Sequence, residues 1–271
     1  MSKKEIKIEY FEFKDIDEKI ILEINSKFDT KIIGQNNVKE KLLINLYSNI
    51  KKLKTKPLIL MFYGPSGVGK TETAKYLSEI LGEKLFRKQF SMYQNNSFFD
   101  YVFGEKHGIS SLARDLLNRE SNVILFDEFD KAESTFYSAF YQLFDEGILI
   151  DKNYEVKLKN SIIICTSNYR NLLDIKKKLG EAIYSRFDDF IEFKTINYND
   201  MANIAKQMYE KNLIKLNLEE QKIIEESKIF NTIIDNIKKF YNVRQLEKII
   251  IQLIAKELLK NKLNDFENMN N

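Results

Sequence analysis

Apolar and polar positions alternate in two distinct rhythms along this chain. Ile20, Ile21, Ile24 and Phe28 recur at helical spacing and lead into Ile32-Ile33-Gly34-Gln35, and Val38, Leu42, Leu46, Ile50 and Leu53 repeat the pattern. Two amphipathic helices are expected there. The run Leu58 to Tyr63 is continuously apolar, short and followed by glycines, the signature of a strand buried on both faces. Behind the glycines, Ala74, Leu77, Ile80 and Leu81 share a helical face. Leu85 to Phe90, Val123 to Phe126, Ser161 to Thr166 and a stretch near residue 189 ending at Phe193 are further strand candidates. Helical patterns separate them, one through Leu112, Leu116 and Leu117 to about Glu120 and one through Phe136, Phe140, Leu143 and Phe144. Strands in alternation with helices predict an α/β fold, a parallel sheet flanked by helices. Two short alternating runs around Lys152-Asn153 read as a hairpin, and Ser91 to Gly108 as a polar and aromatic loop. Beyond Asn199 the pattern is helical throughout, with Asp200 at the N-cap position, so a domain boundary is expected there. Residues 1 to about 15 alternate Ile6, Ile8, Tyr10, Phe11 and Phe13 with charge, which suits an edge strand or a loosely held arm.

Composition narrows the class. A chain of 271 residues suits a main domain with a smaller appendage. Apolar residues at 44% and charged residues at 31% describe a globular protein, and a net charge of +3 is too small to imply nucleic acid by itself. The basic run Lys51, Lys52, Lys54 and Lys56 reads as a solvated helix end. No apolar run approaches the roughly 18 residues of a membrane helix, and Met1-Ser2-Lys3-Lys4-Glu5 lacks the apolar core of a signal peptide, so a cytoplasmic location is expected. Cys165 is the single cysteine, read as a buried inert thiol, and His107 is the single histidine, read as a loop residue. Together they leave no Cys/His set for zinc.

Two stretches carry chemistry. Gly64-Pro65-Ser66-Gly67-Val68-Gly69-Lys70-Thr71 lies between a strand and a helix, the context in which a glycine-rich loop cradles phosphate. The backbone can curl so that its N–H groups meet phosphate oxygens, and the helix turns its positive end to the same anion. Lys70 would then reach the β- and γ-phosphates and the Thr71 hydroxyl would sit on Mg²⁺. Val123-Ile124-Leu125-Phe126 stops at Asp127-Glu128, where a parallel strand meets its ligand. Asp127 can meet Mg²⁺ through its water shell, while Glu128 orients and deprotonates an attacking water. Asn168, closing another strand, is placed to hydrogen-bond that water or the γ-phosphate.

The order of these motifs resembles that of the AAA+ ATPases, and within them the C-terminal ATPase module of the Clp/disaggregase group. The resemblance runs from about residue 20 to 260 through Ile33-Gly34-Gln35, GPSGVGKTETAKYL, Phe126 to Ala132, LFDEGILID, LKNSIIICTSN, Ser185-Arg186-Phe187-Asp188 and Asn242-Val243-Arg244-Gln245-Leu246. It implies an arm (1–30), a large α/β nucleotide-binding domain (31–197) and a small helical lid (198–271). ATP and Mg²⁺ are the implied cofactors, with nucleotide contacts on Ile33, on Gly64 through Thr71 and on Glu72. A homo-oligomeric ring, commonly a hexamer, is implied, acting on a protein substrate or adaptor. Arg186 matches the finger that reaches a neighbouring subunit's γ-phosphate, and Arg244 the lid arginine that reports nucleotide. Arginine is otherwise sparse in this lysine-rich chain, and a lysine would lose the planar fork. The ordinary alternative for Arg186 is a salt bridge with Asp188 or Asp189.

The sequence departs from that family in the channel loop. One alignment gives Glu105-Lys106-His107-Gly108-Ile109, which has no aromatic and resembles the torsin-like branch; the other gives Asp100-Tyr101-Val102-Phe103-Gly104, with Tyr101 as the gripping residue. The interval Tyr169 to Tyr184 lacks the loop that docks the Clp barrel peptidase, so that partner is not expected. With about 30 residues ahead of Ile33-Gly34-Gln35, specificity is expected from a partner or the short arm. The alternative function is a nucleic-acid-directed switch such as a helicase or clamp loader; no basic groove or appended DNA-binding helix pair points to it.

Overall fold

The apolar runs at 58–63, 123–127 and 162–167 become the three central strands of one sheet. The computed structural model describes residues 13–51, 56–92, 96–104 and 110–269. In chain order the strands are β1 (Leu58–Tyr63), β2 (Phe86–Gln89), β3 (Val123–Asp127), β4 (Ile148–Ile150), β5 (Glu155–Lys157), β6 (Ile162–Ser167) and β7 (Asp189–Glu192). Five of them form a sheet in the order β2-β3-β6-β1-β7, with every neighbouring pair parallel. β1, β3 and β6 are buried along their whole length, as a sheet covered on both faces requires. Cys165 sits between Met61 and Phe126 on the flanking strands, and complete burial pushes its thiol well up, so it is inert. β4 and β5 form the expected antiparallel hairpin.

The helices are α1 (Glu18–Lys31), α2 (Asn36–Ile50), α3 (Lys70–Leu81), α4 (Asn96–Phe103), α5 (Leu112–Leu117), α6 (Ala139–Glu146), α7 (Leu172–Leu179), α8 (Glu181–Tyr184), α9 (Tyr198–Leu213), α10 (Leu218–Glu226), α11 (Ile229–Asp235) and α12 (Val243–Met269). α1 buries Ile20, Ile24 and Phe28, and α2 buries Val38, Leu42 and Leu46. The N-cap of α9 is Asn197 rather than Asp200: its side-chain oxygen accepts from Asp200 N at 2.9 Å, which makes Asp200 the third helical residue.

The chain divides into two groups. The first takes α1, most of α2, β1 as far as Gly64, and the described residues from Gly69 to Phe193. Its core is aromatic: Phe90, Phe126, Phe129 and Phe140 pack ring to ring with centroids 5.3–6.4 Å apart. The second takes residues 32–36, 65–68 and the chain from Lys194 on, around Met201, Ala205, Ile224, Ile233, Leu246 and Ile250.

Ser91 to Gly108 is not all loop. Residues 96–103 are helix α4, in which Tyr101 and Val102 are buried, and Tyr101 Oη donates to Asp115 Oδ2 at 2.8 Å. The Tyr101 ring also lies 5.3 Å from Lys88 Nζ. Burial alone would lift the Asp115 carboxyl, yet hydrogen bonds from Lys88 and Tyr101 hold it below its usual value. Tyr101 is therefore a packed residue and not the gripping one. Among the described side chains of α4, Phe99 is the exposed aromatic, at 51%. The alternative segment 105–109, with His107, lies outside the described residues, as do 1–12 of the N-terminal arm. Phe13 carries the Arg119 guanidinium over its ring at 4.4 Å.

Candidate functional site

β1 ends where side chains no longer fit. Gly64 has φ 126, and a Cβ there would lie 2.1 Å from Phe193 O, so only glycine can turn the chain at this point. Gly69 then caps α3 with no side-chain hydrogen bond, which leaves the first amides of a twelve-residue helix to an external acceptor. Lys70, the first residue of α3, is only 7% exposed. Its ammonium donates to Gly64 O at 2.6 Å and to Asn168 Oδ1 at 3.0 Å. The lysine and Asn168, 98 positions apart in the sequence, thus meet because β1 and β6 are neighbours. Thr71 is half-buried and Glu72 is exposed in the first turn of α3.

β3 delivers the carboxylates. Asp127 is buried, and its two oxygens have separate partners: Oδ1 accepts from Thr166 Oγ1 at 2.6 Å and Oδ2 from Arg87 Nε at 3.0 Å. The same Thr166 oxygen accepts from Glu128 N at 2.8 Å, so one hydroxyl on β6 ties both acidic residues. Glu128 has φ 55 and ψ 42, a left-handed conformation that costs a non-glycine residue on the order of 1 kcal/mol. The turn swings its side chain out of the strand line, and Oε2 accepts from Gln89 Nε2 at 3.1 Å. Arg87, Gln89 and Thr166 escaped the sequence reading. The register finds them, since Gln89 stands opposite Asp127 and Cys165 opposite Phe126, one position before Thr166 and Asp127.

Two residues past Glu128, Asp130 is fully buried with neither carboxylate oxygen hydrogen-bonded among the described residues. Lys131 Nζ stands 3.3 Å away, yet burial outweighs it and pushes the carboxyl above its usual range.

Arg186 follows α8 and is half-buried. Its partner is neither Asp188 nor Asp189: Nε donates to Asp145 Oδ2 at 2.8 Å, Nη1 donates to Ala182 O, and the guanidinium carbon lies 4.3 Å from the Tyr141 ring centroid. Asp188 instead accepts from Ile59 N, and Asp189 from Lys41 and Asn45. Arg186 is not brought to Lys70, Asp127 or Asn168 by any hydrogen bond among the described residues.

In the second group, Gln35 is buried and Nε2 donates to Val68 O at 3.2 Å and Lys194 O at 2.8 Å. Gly67, at φ 76, would place a Cβ 3.0 Å from the Asn242 side chain. Val243 N donates to Gly67 O, and Arg244 Nη1 lies 3.3 Å from the exposed Ser66 Oγ. Ile33 packs half-buried against this group's core, Val68 is buried and Pro65 is half-buried.

Among the described residues no three His, Cys, Asp or Glu side chains converge as a metal cage. The buried strand-end carboxylate of Asp127 suits Mg²⁺, which keeps most of its waters and takes few protein ligands. The uncapped α3 amides and buried Lys70 suit phosphate. Among the described residues no helix is long and apolar enough to cross a membrane.

A family model described as AAA domain (Cdc48 subfamily) matches residues 56–225. The chain is similar to Chaperone protein ClpB of Mycoplasmoides gallisepticum, 28% identical over 75% of this chain and 32% of that one. ClpB of Chlamydia trachomatis is 30% identical over 74% of this chain and 28% of that one. The ATP-dependent Clp protease ATP-binding subunit ClpL of Staphylococcus aureus is 30% identical over 67% of this chain and 30% of that one. The chain spans about a third of the length of these relatives.

Proposed function

Because this chain belongs to the AAA family of ATPases, its domain matching the Cdc48-subfamily description, we propose that it hydrolyses ATP with Mg²⁺ as an oligomeric ring and uses the energy to remodel protein partners. The observation that carries the reading is the meeting of Lys70 with Asn168 beside the Thr166-tied pair Asp127 and Glu128, all at the carboxyl ends of β1, β3 and β6. In α/β sheets that edge is where ligands bind. Gly64 to Gly69 and the start of α3 hold the phosphates, and Lys70 neutralises their charge. Thr71 and Asp127 would hold Mg²⁺, which when bound would supply positive charge to the phosphates. Glu128 takes the proton of the attacking water, and Asn168 orients that water or the γ-phosphate. Arg186 acts on a neighbouring copy, a hexamer being the expected ring, and Arg244 links nucleotide state to the C-terminal helices. Two features support a protein rather than nucleic-acid target: the relatives named as chaperones and the small net charge.

The test separates binding from chemistry. Lys70→Ala should lose ATP binding by titration with a fluorescent nucleotide, whereas Glu128→Gln should bind with Kd within about twofold of the parent and turn over at least 100-fold more slowly. Equal loss of binding in both variants would remove this division of roles.

A further inference from the structure

Two of the three contacts of Arg186 lie on one face of α6. Tyr141 and Asp145 are four residues apart on α6, so their side chains stack along the same side, and Arg186 meets both. Asp145 takes Nε, the Ala182 carbonyl takes Nη1, and the Tyr141 ring sets the plane of the guanidinium. Among the described residues Nη2 has no acceptor. A flexible side chain held at two edges and one face keeps a single orientation, and its third edge remains available to an anion.

Both ends of this contact are anchored in the core. α6 buries Phe140, Leu143 and Phe144, and Phe187, the residue after Arg186, packs against Phe144 with centroids 5.5 Å apart. The helix ends at Gly147, where a Cβ would stand 2.8 Å from Pro57 Cδ and 3.1 Å from Lys159 Cα, so its last turn cannot drift. Asp145 in that turn breaks a local rule, because a carboxylate at a helix C-terminus faces the negative end of the dipole. It is 46% exposed and the fold gains little from a surface pair of this kind. A residue that costs its own helix and adds little to the core serves another group.

We propose that Asp145 and Tyr141 are positioning residues that aim Arg186 at the nucleotide of a neighbouring copy of this chain. The proposal rests on the reading of Arg186 as a group acting in trans. Asp145→Ala should lower kcat for ATP about 10-fold with KM and thermal midpoint unchanged, as expected for a catalytic group that keeps its chemistry and loses its aim. Asp145→Asn, which retains an acceptor oxygen for Nε, should recover most of that loss. Tyr141→Leu should fall between Asp145→Ala and the parent. Combining Asp145→Ala with Arg186→Ala should be no slower than Arg186→Ala alone. Parent-like kcat in Asp145→Ala, while Arg186→Ala is slow, overturns the proposal and leaves the trans reading standing. Parent-like kcat in Arg186→Ala overturns both. A double variant slower than Arg186→Ala, or an Asp145→Ala rate loss matched by a lowered melting point, shows that Asp145 acts elsewhere and also overturns it.

Discussion

At the scale of the residue, one uncharged side chain on β6 ties the two acids of the site together. Thr166 accepts the Glu128 amide and donates to Asp127, so a single hydroxyl fixes the backbone of one acid and the carboxylate of the other. Nothing in the sequence singles it out, because a threonine closing an apolar strand is ordinary; it becomes legible only once β6 is known to lie beside β3. The glycines, Lys70 and Asp127-Glu128 are legible because their chemistry is tied to spacing within one segment. Asp130 is the opposite case, an acid whose surroundings contradict its charge. Its folded-state carboxyl binds a proton more tightly than the unfolded one, whose usual value is 3.8. Its favourable contribution is thus complete below that value and is lost as pH rises through the elevated folded value. Asp130→Asn removes that slope. Urea unfolding of the two proteins between pH 4 and pH 8 should show the variant gaining on the parent as pH rises. A constant difference across that range would mean that the carboxyl titrates normally.

At the scale of the element, α4 shows what aromatic content alone leaves undecided. Phe98-Phe99-Asp100-Tyr101-Val102-Phe103 has no clear alternation, so the sequence does not say which ring faces inward. The helix settles it for the side chains described: Tyr101 and Val102 face the core, while Phe99 stands out, its ring 4.6 Å from Phe103. Tyr101→Ala should cost on the order of 3 kcal/mol in stability, the range for truncating a buried aromatic, and it strands Asp115 beside Lys88. Phe99→Ala should change stability by less than about 1 kcal/mol. If α4 meets a protein partner, Phe99→Ala is the variant that should keep ATPase activity and lose ATP-dependent refolding of an aggregated reporter. Chemical denaturation and the refolding assay together decide between the two rings. A destabilised Phe99→Ala beside an unaffected Tyr101→Ala would reverse the assignment. The three central strands β1, β3 and β6, by contrast, are legible as runs of mainly apolar residues, because burial on both faces leaves little room for polar ones, whereas the outer β2 and β7 are half-buried at most positions and include charged side chains.

At the scale of the whole molecule, strand order does what no local pattern announces. Placing β6 between β1 and β3 brings Asn168 to Lys70 and Thr166 to Asp127, although the chain between them includes α6, the β4–β5 hairpin and the core aromatics. Periodicity names strands without saying which are neighbours. By this reading the site takes the arginine of a neighbouring copy, since among the described residues Arg186 is engaged with Asp145, Tyr141 and Ala182 and has no hydrogen bond to Lys70 or Asp127. Mixing Arg186→Ala with Lys70→Ala subunits, each inactive alone, should restore hydrolysis at junctions that join an intact loop to an intact arginine. Phosphate release in verified mixed assemblies measures it, and no recovery would return Arg186 to a purely structural role. The left-handed turn at Glu128 bears on the history of such a chain. Glycine would adopt φ 55 without strain, so selection for thermal endurance alone would favour losing the carboxylate. If Glu128 is the base proposed above, a lineage that keeps glutamate there accepts a less stable fold for as long as turnover matters, and a copy released from that demand should drift toward glycine at this position first.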